Sequence, residues 1–115
     1  IDIAYKRIKQ FHLKQKFKSF KFKDKLSNEL SYKYSPIEKV GVYVPGGTAS
    51  YPSTVLMNCI PALVAGVKNI YLTSPVLSSS VNPAIIYAAK KCGVNSFEKS
   101  FLKANAFSKL TMSPI

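Results

Sequence analysis

Three hydrophobic patterns follow one another along the chain. In the first dozen residues Ala4, Ile8 and Phe11 fall at i, i+4 and i+7, with lysines between them. That spacing predicts a short amphipathic helix whose lysines face water. Over residues 17–25 the period drops to two, with Phe20 and Phe22 on one face and Lys21 and Lys23 on the other. A strand with one wet side is expected there, and a second strand over 30–34 before Ser35-Pro36 breaks it.

From residue 40 the pattern changes again. Residues 40–44 are apolar on both faces, which suits a central strand covered on both sides. Pro45 withholds the next ladder donor, and Gly46 and Gly47 permit a sharp turn. Residues 48–52 read as a loop, Ser53 as the N-cap of a helix, and 54–67 as that helix, apolar on almost every face and therefore buried. Pro61 should bend it, and Gly66 offers a left-handed stop. A second strand over 70–73 follows and ends at Ser74-Pro75.

After a serine-rich loop at 76–81, Asn82-Pro83 supplies an N-cap and a proline at the first helical position. A helix is expected over 83–91, with Ile85, Ala88 and Ala89 on one face, Lys90 and Lys91 at the negative end of its dipole and Gly93 beyond its end. A third strand is expected near 95–98. Strand, helix and strand at these lengths form right-handed crossovers, which make the strands parallel. The fold class is therefore α/β, a partial doubly wound, Rossmann-like parallel sheet preceded by a basic helix and short β-structure. The expected organisation is a basic arm at 1–39, a βαβα segment at 40–98 and a tail at 99–115.

The Pro45-Gly46-Gly47 turn lies where an open α/β sheet presents its ligand site, ahead of a helix amino end. Free amides and the helix dipole there favour an anionic group such as a pyrophosphate. The turn lacks the spacing of the usual dinucleotide fingerprint, so on these features alone it is either a phosphate turn or only a turn.

Charge changes the picture of the arm. The 115 residues carry a formal net charge of +12, and eleven of the seventeen basic residues lie in the first 39 positions against four acidic ones. Lysines interleaved with Phe11, Phe17, Phe20 and Phe22 suit either nucleic acid or an anionic membrane, or simply a solvated scaffold. The arm has no recognisable binding motif for the first two, and the scaffold reading is preferred. Apolar content of 47% is ordinary for a globular core. No apolar run approaches the roughly 20 residues of a membrane span, and there is no leader of signal type, so a soluble piece or processed chain is expected. Cys59 and Cys92 lack metal or redox spacing and read as reduced packing residues of a cytoplasmic protein, with a disulfide left open. His12, the single histidine, has no partner placed to make it catalytic.

The residues also resemble a family. Val40-Gly-Val-Tyr-Val-Pro-Gly-Gly-Thr-Ala49, Pro52-Ser-Thr-Val-Leu-Met57, Ile60-Pro-Ala62, Val64-Ala-Gly-Val-Lys68 and Tyr87 to Val94 are similar, in order and nearly without gaps, to the first dinucleotide-binding region of histidinol dehydrogenase. Phe11-His12 falls about where that family has a Phe-His pair. The resemblance implies an aldehyde-dehydrogenase-like sheet and an enzyme of histidine biosynthesis that oxidises L-histidinol to L-histidine with NAD. It implies NAD contacts at Tyr43 and the Pro45, Gly46, Gly47 turn, with weaker candidates in the amides of Ser53 and Thr54. Asn105 would take the place of the family's NAD-contacting glutamine, although the two glycines before that residue are replaced here by Phe101 and Leu102. The family's catalytic Glu-His pair and zinc ligands come from segments absent here, so no catalytic residue and no metal ligand is assigned. A homodimer is implied for the complete enzyme. The remaining alternatives are a non-catalytic remnant and a basic binding module.

Overall fold

The computed structural model describes residues 1–45, 51–75 and 81–100, with side chains at 75 and 98–100 aside. The elements run α1 (Asp2–Lys14), β1 (Phe20–Lys23), β2 (Glu29–Tyr32), β3 (Lys39–Tyr43), α2 (Pro52–Ala65), β4 (Asn69–Pro75), α3 (Pro83–Lys91) and β5 (Ser96–Ser100). β1 and β2 form an antiparallel pair, whereas β3, β4 and β5 form a parallel sheet in that order. The α/β class and the parallel crossovers are as expected from the sequence.

The order β3-β4-β5 advances in one direction without reversal. Two right-handed crossovers that advance the same way place their helices on the same side of the sheet. Accordingly α2 packs against α3, and both share one core with Val42, Val44, Ile70 and Leu72. The largest fully buried side chains are Leu56, Ile60, Ile70 and Leu72. α1 packs against α2 from outside and adds Tyr5 and Ile8 to the edge of the core.

This arrangement corrects four expectations. β3 is an edge strand whose described neighbour is β4, and it alternates, with Val42 and Val44 buried and Gly41 and Tyr43 exposed. Among the described residues the helices lie on one side only, and nothing covers its second face. For the same reason α2 is one-sided: Val55, Leu56, Cys59 and Ile60 are buried while Met57 is exposed. In α1 the inward stripe is Tyr5 and Ile8, and Ala4 and Phe11 stay exposed, because the crossing with α2 selects a neighbouring face. The hairpin has no dry side, every residue of β1 and β2 being exposed.

Helix ends follow local chemistry. Asn82 caps α3, its Oδ1 accepting from the amide of Ala84 at 2.8 Å, and Pro83 opens the helix. Ser53 is not a cap: Tyr51 holds the N-cap place without a side-chain bond, and Pro52 starts α2 two residues earlier than expected. Proline is suited to that first position because its missing N–H had no helical partner to lose. Both helices stop alike. Gly66 (φ 94°) and Gly93 (φ 67°) take left-handed angles, and the amides of Val67 and Val94 reach back to the carbonyls of Ala62 (3.0 Å) and Ala89 (3.1 Å).

Candidate functional site

The ligand side of an open parallel sheet is its carboxyl edge, where strands hand over to helix amino ends. Here that edge is pinned by register. Tyr43 stands opposite Thr73, and the Val44 amide donates to the Thr73 carbonyl at 2.8 Å. Val44 is fully buried, which anchors the end of β3, while the Tyr43 side chain remains 53% exposed on the uncovered face. Pro45 follows, exposed. The edge thus presents an aromatic ring and a phenol hydroxyl on a fixed backbone, a surface suited to stacking on a flat ring or bonding a polar ligand group.

Among the sequence-predicted positions, Tyr43 and Pro45 are adjacent at this edge. Gly46, Gly47 and Asn105 lie outside the described residues, as do the 76–80 part of the serine loop and the tail beyond 100. Of the weaker candidates, the Thr54 amide is engaged, donating to the Tyr51 carbonyl at 3.0 Å. Tyr51 itself, immediately before α2 and half-exposed, is an aromatic at the helix amino end that pattern reading passed over. Its position directly before Pro52 was the available signal.

Two polar clusters lie away from this edge. Asp2 accepts from the Tyr87 hydroxyl at 2.9 Å and pairs with the Lys91 ammonium at 2.6 Å, tying α1 to α3. These partners hold the Asp2 carboxyl below its ordinary range, and Asp2 in turn raises Lys91. The second is His12, whose Nδ1 lies 2.8 Å from Gln15 Oε1. Its i, i+3 spacing was visible in the sequence. Cys59 and Cys92 are free and buried. Hydrogen bonding with the Cys92 thiol and then burial push the Cys59 thiol up, which keeps it protonated and unreactive.

Among the described residues no three His, Cys, Asp or Glu side chains approach closely enough to hold a metal ion. Tyr43 presents its exposed ring at the carboxyl edge of the sheet.

The family profile described as histidinol dehydrogenase matches residues 1–100. This chain belongs to the histidinol dehydrogenase family. It is 58% identical over 94 residues to histidinol dehydrogenase of Pelagibacter ubique, covering 82% of this chain and 22% of that protein. The corresponding enzyme of Rhodopseudomonas palustris is 40% identical over 119 residues, covering 100% of this chain and 28% of the relative. A crystal structure of histidinol dehydrogenase from Elizabethkingia anophelis superposes with a TM-score of 0.80 at 40% identity, over 87% of this chain and 23% of that one. The chain thus spans about a quarter of the length of the relatives it matches. Among the described residues no helix is long and apolar enough to cross a membrane.

Proposed function

We propose that this chain is the cofactor-binding portion of a histidinol dehydrogenase, contributing NAD contacts to the oxidation of L-histidinol to L-histidine. The observation that carries the reading is Tyr43, held half-exposed at the carboxyl edge of a parallel sheet by the buried Val44 and its bond to Thr73, in a chain whose relatives bear that name. NAD, when bound, supplies the hydride acceptor of such an oxidation. The chain's own part is to bind and orient. Tyr43 offers its ring face and hydroxyl, and the Pro45, Gly46, Gly47 turn, with Asn105 farther along, would complete the contacts. The domain division follows the same reading: residues 1–39 form an arm, 40–98 the cofactor segment and 99–115 a tail.

No catalytic residue and no zinc ligand is assigned to this segment. Proton transfer and zinc binding belong, on this reading, to other parts of the complete enzyme, which acts as a homodimer in the cytoplasm. The test grafts this chain in place of the matched segment of the Pelagibacter ubique enzyme. Histidinol-dependent NADH formation by the graft, with none from the 115-residue chain alone, is the expected result. A folded graft that neither binds NAD nor forms NADH overturns the proposal.

A further inference from the structure

The two cysteines of the chain stand apart in sequence and meet in the fold. Cys59 lies in the middle of α2, Cys92 is the C-cap of α3, and the two helices pack on each other. Both side chains are fully buried, in the core that also holds Val55, Leu56, Ala88 and Ala89. There the Cys59 thiol donates a hydrogen bond to the Cys92 sulfur, and neither is part of a disulfide. A thiol packs like a small hydrophobe, so burial alone asks for no partner. Two thiols in direct contact across a helix pair offer more, because each is within reach of the other's oxidation product.

We propose that Cys59 and Cys92 form a reversible disulfide that joins α2 to α3 when the protein meets hydrogen peroxide. Cys92 is the sulfur oxidised first. It closes α3, its neighbours Lys91 and Gly93 reach solvent, and local opening of that helix end uncovers it before the middle of α2. Its sulfur attacks peroxide, the O–O bond breaks, and Cys92 becomes a sulfenic acid with release of one water. The Cys59 sulfur then attacks the Cys92 sulfur, the S–O bond breaks, and the hydroxyl leaves with the Cys59 proton as a second water. Two electrons pass from the pair to one peroxide, and a dithiol reductant returns them by exchange. The contact has a consequence for the core. A solitary buried sulfenic acid is open to further oxidation to sulfinic and sulfonic acids, whose charge has no partner among these apolar side chains. A second thiol in contact stops the oxidation at its reversible stage.

The test is made on the 115-residue chain, reduced and then treated with hydrogen peroxide. Quenching in denaturant with N-ethylmaleimide should place a maleimide on both cysteines of the reduced chain and on neither of the oxidised one, with dithiothreitol restoring both. Peptide mapping should join the segments that carry residues 59 and 92 within one chain. Equilibration with reduced and oxidised glutathione separates a pair held by the fold from two thiols that meet by chance: the effective concentration of the pair should be at least about tenfold higher in native buffer than in urea. In Cys59→Ser, Cys92 should end as a sulfinic or sulfonic acid that dithiothreitol does not recover. Equal effective concentrations in buffer and urea overturn the proposal, as do maleimide uptake unchanged by peroxide, links between chains, or an oxidised chain in which both sulfurs carry oxygen. Should the isolated chain fail to fold, the same peptide map is read on the chain grafted into the Pelagibacter ubique enzyme, where absence of the link between 59 and 92 overturns it. None of these readouts uses NAD, so each stands whether or not the graft forms NADH.

Discussion

The parallel sheet and the hairpin are built from equally apolar residues and reach opposite ends. In the βαβαβ unit the apolar positions of β3, β4, α2 and α3 meet one another, and Val44, Val55, Leu56, Cys59 and Ile60 lose essentially all contact with water. In the hairpin, Phe20, Phe22, Leu30 and Tyr32 line up just as regularly, and none is buried. What separates the two is not pattern but the presence of a second layer. A sheet with crossover helices brings its own cover, whereas a hairpin has to find one elsewhere.

The comparison can be broken first in the core. Ile60→Ala removes a fully buried side chain from α2 and should cost about 2–5 kcal/mol by urea unfolding; a loss below ~1 kcal/mol would mean that the core is not the source of stability. Next comes Asn95, whose side-chain Oδ1 accepts from the Ile70 backbone amide at 2.7 Å while its backbone N–H donates to the Ile70 carbonyl at 2.8 Å. Asn95→Ala leaves that β4 donor without its partner, at a cost of roughly 1–3 kcal/mol. Stability unchanged on the same denaturant curve would show that the contact is replaceable. On the hairpin, Tyr32→Ser should move stability by no more than about 0.5 kcal/mol, since nothing is buried with it. A loss as large as that at Ile60 would erase the contrast between the regions.

The smallest effect belongs to the α1–α3 contact. The Asp2 carboxyl is held below its ordinary range by Lys91 and Tyr87, so its contribution is present above the ordinary carboxylate pKa and is lost as pH falls through the lowered value. Lys91 is raised, so its contribution is present below the ordinary lysine pKa and is lost as pH rises through the raised value. Amide exchange in α1 should therefore quicken below about pH 4 and again at strongly alkaline pH. In Asp2→Asn both pH steps should be absent, and steps that persist would assign the docking of α1 to Tyr5 and Ile8 alone.

The legible parts of the fold were those coded locally. α3 was readable residue for residue because Asn82, Pro83 and Gly93 punctuate it, and Gly66 marked the end of α2 through the same left-handed angle. The start of α2 was misplaced because a serine suits the cap in isolation, yet Pro52 is better suited to the first helical position and moved the boundary back to Tyr51. Which faces would be dry was not legible. Apolar runs at 40–44 and 54–67 announce two-sided cover, and in this chain the helices arrive on one side. Among the described residues the second faces of β3 and α2 and the apolar face of the hairpin have no layer against them, although the sequence writes each as a buried face. At the candidate site, the motif named Tyr43 directly, whereas Tyr51 and the His12–Gln15 pair had only weak local signals, a place before Pro52 and an i, i+3 spacing.

The most direct measurement of the central claim is NAD affinity in the grafted enzyme with and without Tyr43→Ala, by calorimetry alongside thermal melting. An aromatic contact is worth about 0.5–1.5 kcal/mol beyond area burial, so the Kd should rise roughly 3- to 10-fold. The melting temperature should hold, since the Tyr43 ring is half-exposed and lies outside the core. An unchanged Kd with an intact fold would contradict the account and remove this edge of the sheet from the cofactor site.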